Sequence, residues 1–251
     1  MRRFLVTSST TPSEVLIPVD YWRQLDIFDP GKFHEEVHII GVGATGSTIA
    51  LYLAKFGVQK MHAYDFDEVE AHNPPNSLVF GRSDIGKLKV EALRERLLHD
   101  CDVDVIAHNE KVDGTKPLQG IVFLCTDKMS QRKPIWENAI KFKLPVKLMV
   151  ETRLGAEFGW VHTVRPSNLT DVKGFEDTLF NDEEGEEPPC TYRAIATTVG
   201  AIASIASHKL IKFAKNESIT PIVQIEEGKD HSSADMFCIR PIITTTSNWK
   251  K

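Results

Sequence analysis

The chain has 251 residues, of which 41% are hydrophobic and 26% charged, and its formal net charge is −5. This is the composition of an ordinary soluble globular protein with a sizeable core, and the negative charge argues against binding to a nucleic-acid backbone. The four cysteines lie far apart without a C-x-x-C pair, which argues against a structural zinc site and a disulfide framework. Because no apolar run has signal-peptide or membrane-spanning length, we expect a cytoplasmic protein without a membrane partner.

The first 35 residues contain three prolines and little periodicity, so they are predicted to form an arm that leads into the domain. From Val37 onward, strands alternate with helices, which predicts an α/β, doubly wound, mostly parallel, Rossmann-like sheet in a nucleotide-binding domain over 36–165. The first predicted strand begins at Val37, and the following predicted strands cover 61–65, 103–108, 121–125 and 146–150. The predicted helices cover 44–56, about 86–99 and 130–142.

After residue 151 the pattern changes. A strand is predicted over 156–164 and a weak helix over 168–180, before an acidic loop that we expect to be solvated. We assign 166–193 to this crossover helix and loop. The remaining residues, 194–251, are predicted to complete the same domain with a long helix and antiparallel strands. That helix covers 194–213, and the strands cover 221–226 and 235–243.

A glycine turn, Gly41-x-Gly43-x-x-Gly46, follows the first predicted strand. Its first glycine permits the tight turn, the second lets a phosphate approach the backbone, and the third lets the helix pack against the strand. The helix from Ala44 would point free N–H groups at an anion. Asp65, at the end of the second strand, can accept hydrogen bonds from ribose hydroxyls. The pattern predicts a site for either NAD or ATP; the alternative is a glycine turn with no ligand.

Three further polar residues favour ATP over NAD. Asn73 follows the second strand and Lys89 begins the next helix, and an enzyme that breaks a triphosphate needs such donors and cations. Asp127 lies just beyond the carboxyl end of the fourth strand, where a carboxylate suits Mg²⁺ bridging nucleotide phosphates. In the alternative interpretation, Lys87 and Lys89 are solvated surface charges, and Asp127 caps the helix that begins at Ser130.

With GVGATG, DFDEVEAHN, DIGKLK and CTDKMSQR in this order, residues 37–165 resemble the ThiF/MoeB/HesA family, which includes the ubiquitin-activating enzymes. The resemblance implies an ATP- and Mg²⁺-dependent adenylyltransferase that forms a homodimer. It would activate the C-terminal glycine carboxylate of a small ubiquitin-like or sulfur-carrier protein and release pyrophosphate. By their matching positions, the resemblance implies that Asp65 binds the ribose, that Asn73 and Lys89 bind the phosphates, and that Asp127 binds the magnesium ion.

The chain departs from the family at one position. The family usually has the sequence N-L-x-R after the second strand. Here Asn76 occupies the arginine position. The resemblance therefore implies that an asparagine contacts the nucleotide at this position. Arginines of that type can be worth roughly 10³–10⁵ in rate in phosphoryl-transfer enzymes. Arg82 is near in sequence, but Arg23 resembles the family's N-terminal arm arginine, which reaches the neighbouring subunit's site. The missing arginine implies that another cation substitutes, that activity is low, or that the substrate differs. Of the two candidate cations, we take Arg23 as the better substitute. Arg132 matches the end of the family's T-D-N-x-x-x-R element, where a structural role is one interpretation.

Cys190 is the candidate nucleophile. The segment PPCTYRAIATTVG resembles that of compact ubiquitin-like activating enzymes, in which a loop cysteine precedes a T-T-x-G helix. A cysteine before a helix N-terminus, with Arg193 nearby, can have a lowered pKa, whereas the preceding acidic run would raise that pKa. An unreactive cysteine is the alternative, since many family members adenylate without forming a thioester. Cys101, Cys125 and Cys238 are predicted to be core residues.

Four residues after the fifth strand are expected to line a groove for an extended substrate tail, because glycines let a peptide backbone approach. They are Thr152, Arg153, Gly155 and Gly159.

Three other functions stay open. An NAD-dependent oxidoreductase would explain the glycines and Asp65 but leave the other polar residues as coincidences. A degenerate partner subunit of an activating enzyme would explain the missing arginine. An adenylating enzyme could also take a small peptide or a modified tRNA base as acceptor.

Overall fold

A computed structural model describes residues 19–155, 158–184, 195–227 and 237–241. The strands are β1 (Val37–Ile40), β2 (Met61–Tyr64), β3 (Ile106–His108), β4 (Gly120–Leu124), β5 (Val146–Leu154), β6 (Gly159–Val164), β7 (Ile222–Glu227) and β8 (Phe237–Pro241). The α-helices are α1 (Ala44–Phe56), α2 (Lys89–Cys101), α3 (Met129–Ile135), α4 (Leu169–Glu176) and α5 (Ala196–Ala214).

The strands form a single eight-stranded sheet in the order β3-β2-β1-β4-β5-β6-β7-β8. The first five strands in this order are parallel, and β6, β7 and β8 extend the sheet in antiparallel fashion. This confirms the predicted fold class. The strand order reverses between β1 and β4, where Ile40 pairs with Leu124 at the carboxyl ends. Open α/β sheets bind their ligands in the crevice at such a switch point.

The central strands are apolar because helices cover both of their faces. In β4, Ile121 and Phe123 belong to the core shared with α1, α2 and α5, whereas Val122 and Leu124 face the core that includes Trp136 and Phe175. Side chains alternate between the faces of a strand, so a strand covered on both sides becomes a continuous apolar run. This explains why β4 was predictable from its composition.

Several predicted boundaries were wrong. The strand expected over 103–108 is limited to β3, because Asp102 adopts a left-handed conformation (φ 56°) that ends α2 and turns the chain. The helix expected over 130–142 is α-helical only to Ile135 and continues as a π-helical turn, Trp136–Ile140. Pro134 lies within α3 and lacks the N–H that a regular helix needs. The fifth strand is longer than expected, because its second half pairs with β6.

The described part of the arm packs against the far end of α1. Phe28 is buried, with its ring centroid 5.5 Å from that of Phe33 and 6.2 Å from that of Phe56. Gln24 Nε2 donates a hydrogen bond to the Phe56 carbonyl at 2.7 Å. The arm is therefore anchored at the C-terminal end of α1, opposite the glycine turn. Within the described ranges, no helix is long and apolar enough to cross a membrane.

Candidate nucleotide-binding site

The glycine turn between β1 and α1 has the geometry that its sequence predicts. Gly41 has φ +88°, and a Cβ there would lie 2.9 Å from the Cys125 carbonyl group. A Cβ on Gly46 would lie 2.0 Å from the Gly41 carbonyl oxygen, so this glycine lets the helix approach the strand. At Gly43, by contrast, a Cβ would meet nothing within 4 Å. The turn is thus closely packed at Gly41 and Gly46 and open at Gly43, as the approach of a phosphate group requires.

The start of α1 lacks a side-chain cap. Gly43 occupies the N-cap position, and no side chain accepts a hydrogen bond there. The first N–H groups of a helix need partners, and the helix dipole favours a negative one. The helix therefore begins with donors suited to an anion at the open side of the turn.

Asp65 connects the end of β2 to this turn. Its Oδ2 accepts a hydrogen bond from Val42 N at 2.7 Å, and its Oδ1 accepts one from Asp67 N at 2.9 Å. Each carboxylate oxygen has two acceptor sites, so each keeps capacity for a ribose hydroxyl. Asp65 is half-buried at the carboxyl end of β2, beside the glycine turn, as expected of a residue that fixes the turn and contacts a sugar.

Lys89, the predicted phosphate lysine, and Lys87, its competitor in the sequence, differ in the structure. Lys89 is the first residue of α2, its side chain is 13% exposed, and Nζ donates to Asp67 Oδ2 at 2.9 Å. Lys87 is 41% exposed and pairs with Glu95 at 2.6 Å and with Asp84 at 3.5 Å. Only Lys89 is joined to Asp65 and the glycine turn through hydrogen bonds. The structure therefore favours Lys89 as the phosphate-directed lysine.

Asn73 and Asn76 lie on the long connection between β2 and α2. Asn73 Oδ1 accepts a hydrogen bond from Glu70 N at 2.8 Å, and Asn76 is the last residue of a 3₁₀ turn, Pro74–Asn76. Asn76 N donates to the Asn73 carbonyl at 3.0 Å. Both side chains are half-buried, so the turn supplies amide groups at the position where the sequence resemblance implied an arginine.

Asp127 follows β4 and is exposed. The sequence-based alternative, that it caps the next helix, is wrong: Lys128 occupies the N-cap position, and Ser130 N donates to the Asp182 carboxylate at 3.2 and 3.4 Å. Hydrogen bonding from the Ser130 side chain, and to a smaller extent from the Ser130 N–H, lowers the pKa of Asp182. Asp127 has no hydrogen bond or ion pair to the rest of the described chain. Its carboxylate is therefore available to a cation.

The donor set fits a magnesium ion that is shared with a nucleotide. Among the residues that the structure describes, no group of three or more histidine, cysteine, aspartate or glutamate side chains could hold a metal by itself. Mg²⁺ is usually bound through one or two carboxylates together with substrate phosphates and water. Asp127 supplies one such carboxylate, at the edge where the glycine turn would place the phosphates.

Arg132 has a structural role beneath this loop. Its guanidinium donates to the Glu151 carboxylate and to the Thr126 carbonyl, one residue before Asp127. Glu151 is fully buried and is also contacted by Arg153 Nε at 2.8 Å and His162 Nδ1 at 2.7 Å. Burial by itself would raise the pKa of Glu151, but the two arginines and His162 hold it well below its usual range. The charged cluster thus fixes the loop that carries Asp127.

The groove expected after the fifth strand is not formed by the residues predicted for it. Arg153 is buried and donates to the Thr178 carbonyl at 2.8 Å, and Thr152 is buried as well. A Cβ on Gly159 would lie 2.0 Å from Ile202 Cδ1, so this glycine serves close packing against α5. A Cβ on Gly155 would meet the Phe158 ring at 2.4 Å. Four residues predicted to face a ligand therefore serve the interior.

The two cysteines whose side chains the structure describes, Cys101 and Cys125, are unsuited to nucleophilic chemistry. Burial raises the pKa of Cys125 to about 11 and also raises the pKa of Cys101, so both are protonated thiols. This agrees with the prediction for these residues. Cys190 and Arg193 lie outside the described residues, as does the side chain of Cys238.

Arg23 is not brought to the glycine turn of its own chain. It lies on a 3₁₀ turn, Trp22–Gln24, beside the C-terminal end of α1, and its guanidinium lies 5.3 Å from the Trp22 ring centroid. The 13 residues of α1 separate the two sites by about 20 Å. Arg82 is exposed on a 3₁₀ turn before α2. If Arg23 takes part in a nucleotide site, that site belongs to a second subunit.

Sequence reasoning missed Asp67, Asp182 and Glu151. Asp67 is the second acid of DFD, two residues after Asp65, and Glu151 directly follows the apolar stretch LMV. An acid inside a buried strand is a signal for a paired charge, which could have been recognised. Asp182 gives no such signal, because its partner lies 52 residues away.

The fold and this site are those of an α/β protein that has a glycine turn at the switch point of its sheet, with Lys89 and the carboxylate of Asp127, unpaired within the described chain, on the segments that follow β2 and β4. A sequence model of the ThiF family matches residues 32–237, and the chain belongs to that family. It is 28% identical over 184 residues to the sulfur carrier protein ThiS adenylyltransferase of Escherichia coli, covering 70% of this chain and 71% of that enzyme. It is 39% identical over 74 residues to ubiquitin-like modifier-activating enzyme 5 of Caenorhabditis elegans, covering 29% of this chain and 17% of that enzyme.

Solved structures show the same fold. The structure of E. coli MccB with AMPCPP and MccA superposes with a TM-score of 0.62 at 16% identity, covering 84% of this chain and 65% of MccB. The structure of PaaA superposes with a TM-score of 0.58 at 15% identity, covering 94% of this chain and 87% of PaaA. At these identities the likeness concerns the fold alone.

Proposed function

We propose that this protein is an ATP-dependent adenylyltransferase that activates the C-terminal glycine carboxylate of a small ubiquitin-like or sulfur-carrier protein. The observation that carries the proposal is the placement of Lys89. It is the first residue of α2, it is largely buried, and hydrogen bonds through Asp67 and Asp65 connect it to the glycine turn. An NAD site needs no lysine there, whereas the charge that develops on a reacting triphosphate needs a cation. The named activity of the E. coli relative supports the same function.

In the proposed reaction, a carboxylate oxygen of the substrate attacks the α-phosphorus of ATP. The bond between that phosphorus and the bridging oxygen breaks, and pyrophosphate leaves with the bond electrons. The glycine turn and the start of α1 would donate hydrogen bonds to the phosphates, and Asp65 would accept from the ribose. Lys89, with Asn73 and Asn76, would stabilise the charge on the phosphates. When bound, Mg²⁺ would neutralise phosphate charge, and Asp127 is the residue that would hold it.

A second step, thioester formation on Cys190, is part of the proposal. The segment that precedes Cys190 is described as far as residue 184, and there it lies close to the site. Ser130 of α3, three residues after Asp127, donates a backbone hydrogen bond to Asp182. A thiolate from this segment would attack the adenylated carbonyl and release AMP. The proposal for Cys190 therefore rests on the sequence motif and on this anchor.

We also propose a homodimer in which Arg23 of one subunit serves the site of the other. The arm presents exposed apolar side chains at Val19, Trp22, Leu25 and Ile27, between 46% and 64% exposed, which suits a contact with a second copy. Asn76 leaves the site without the arginine of relatives, so a cation from the partner would complete it. Loss of exchange activity in Arg23→Ala, and its recovery when that variant is mixed with Lys89→Ala, would support this assembly.

The test is carrier-dependent exchange of labelled pyrophosphate into ATP. Purified protein is incubated with ATP, Mg²⁺ and a panel of small proteins that end in Gly-Gly, each paired with a version lacking its last two residues. We expect exchange with at least one intact carrier and none with its truncated form. Exchange that ignores the carrier terminus, or binding of NAD in preference to ATP, would refute the proposal. A short peptide that alone supports exchange would replace the carrier with a peptide substrate.

A further inference from the structure

Asp67 is a charged residue at the site to which the proposed reaction assigns no role. It lies on the segment that leaves β2, and its side chain is 50% exposed. Its Oδ2 accepts a hydrogen bond from Lys89 Nζ at 2.9 Å, and its carbonyl oxygen accepts one from Lys89 N, also at 2.9 Å. Asp67 therefore holds Lys89 at two points, one on the backbone and one at the end of the side chain.

Asp67 is itself fixed in position. Its N–H donates to Asp65 Oδ1, and Asp65 Oδ2 accepts from Val42 in the glycine turn. The segment around Asp67 also pairs in antiparallel fashion with the segment before α2, through an isolated bridge between Glu68 and Leu88. A continuous chain of hydrogen bonds thus runs from the glycine turn to Lys89. The start of α1 and the start of α2 are held in a fixed relation.

We propose that Asp67 is a positioning residue that holds the Lys89 ammonium where charge develops on the phosphates during adenylation. This inference rests on the proposed function. A lysine ammonium is a compact charge on a flexible stem with three donors. Asp67 engages one donor and leaves two for phosphate oxygens. Its negative charge also opposes binding of the triphosphate in the ground state, so its benefit must appear in the reacting state.

The chain offers a matched control. Lys87 lies two residues before Lys89 and pairs with Glu95 at 2.6 Å, on a more exposed side of the same segment. Asp67→Asn and Glu95→Gln each remove one carboxylate from one lysine and preserve the shape of the side chain. A general effect of surface charge would appear in both variants, whereas an effect of positioning Lys89 would appear in the first only.

The first measurement is the kinetics of carrier-dependent pyrophosphate exchange. We expect Asp67→Asn to lower kcat by about 100-fold while the KM for ATP stays constant or falls, because a misplaced group costs about that factor. Glu95→Gln should stay within about two-fold of the wild type, and Asp67→Glu should recover part of the loss. Wild-type kinetics in Asp67→Asn, or a raised KM with unchanged kcat, would overturn the inference.

The second measurement does not depend on activity. The folded variants are treated with limiting acetic anhydride, and acetylation of individual lysines is followed by mass spectrometry. Asp67→Asn should speed acetylation of Lys89 several-fold but not that of Lys87, and Glu95→Gln should do the reverse. Lys209, which is 5% exposed on α5, reports unfolding. If Lys209 becomes reactive together with Lys89, Asp67 only maintains the fold and the inference fails.

The two measurements separate this inference from the function on which it rests. If the wild type shows no exchange with any carrier while the acetylation pattern is as expected, the proposed function fails and the link between Asp67 and Lys89 stands. If the wild type exchanges but acetylation of Lys89 ignores Asp67→Asn, the positioning role fails and the function stands.

Discussion

Charged residues occur in two settings in this protein, at the carboxyl edge of the sheet and inside it. At the edge, Asp127 has no partner in the described chain, and the Lys89 ammonium is paired only with Asp67. Inside, Glu151 is contacted by three cationic or imidazole side chains and is fully buried. The difference shows which charged side chains can bind a ligand. Side chains with spare hydrogen-bonding capacity can do so, whereas side chains whose hydrogen bonds are all made within the protein stabilise the fold.

The two settings are physically connected. Arg132 donates to Glu151 inside and to the Thr126 carbonyl directly before Asp127 at the edge. The interior cluster therefore supports the loop that presents the free carboxylate. Substitutions at the edge should change activity with little effect on stability, and substitutions inside should do the opposite.

The largest effect is expected at the edge, from Lys89→Met. Removing the cation from the phosphate position should lower pyrophosphate exchange by about 10³-fold, by comparison with other groups that stabilise transition-state charge. Lys87→Met is the matched control and should stay within about two-fold, because Lys87 pairs outside the site. Exchange rates of the two variants decide the matter; equal losses would mean that Lys89 is not the phosphate lysine.

Inside, Glu151→Gln should lower the free energy of unfolding by about 3–5 kcal/mol, because two buried guanidinium groups lose their anion. Urea unfolding of the variant and the wild type measures this difference. Asp171→Asn is a suitable comparison, since Asp171 also pairs with an arginine, Arg165, but the side chain of Arg165 is 53% exposed. A loss at Glu151 no greater than at Asp171 would contradict the structural role of the cluster.

Asp127→Asn should lower exchange by about 10²-fold and raise the Mg²⁺ concentration needed for half-maximal rate. Its melting temperature should match that of the wild type, because Asp127 has no partner in the described chain. This combination sharpens the contrast with Glu151. A fall in melting temperature with an unchanged requirement for Mg²⁺ would show that Asp127 supports structure instead of a metal ion.

A third group, the histidine row on β1, β2 and β3, predicts pH-dependent stability. His38 stacks on His62 with ring centroids 4.7 Å apart, and its Nδ1 lies 3.0 Å from the Tyr64 hydroxyl. Burial, followed by the charge of His62, lowers the pKa of His38 from 6.5 to about 4, and burial also lowers that of His108. Between pH 6.5 and 4 the unfolded chain therefore binds more protons, so stability should fall by about 2 kcal/mol as the pH decreases across this window.

Urea unfolding at pH 7 and pH 4.5 measures this dependence. His38→Asn should flatten it, whereas His99→Gln should not, because His99 is 86% exposed. A dependence unchanged in His38→Asn would exclude the row as its cause.

The smallest effect on exchange is expected at Cys190. Cys190→Ala should leave exchange within about two-fold of the wild type, because adenylation precedes thiol attack. The same variant should lose any thioester that reductant cleaves, as seen on non-reducing gels. Loss of exchange in this variant would mean that Cys190 supports the adenylation site itself.

The parts of the structure that are local in sequence could be predicted. The glycine turn, the extent of α1 and the position of Lys89 at the start of α2 follow from spacing and helix-start signals within a few residues. The apolar run of β4 identified a strand buried on both faces. These features depend on neighbours along the chain, which the sequence displays directly.

The features that escaped prediction depend on distant partners. Arg153 was expected at a groove, but Thr178 and Glu151 hold it in the interior. The cap at Ser130 comes from Asp182, so that Asp127 is free. Hydrogen bonds between residues far apart in sequence follow from the folded arrangement, and local patterns do not specify them.

The central claim is that the site binds a triphosphate through Lys89 and a magnesium ion held by Asp127. Calorimetric titration of the purified protein with ATP and Mg²⁺, with ATP and EDTA, and with NAD tests it most directly. We expect tight binding of ATP with Mg²⁺, at least 10-fold weaker binding without the metal, and further weakening in Lys89→Met. Binding of NAD in preference to ATP, or an affinity for ATP that changes neither without the metal nor in Lys89→Met, would contradict this claim.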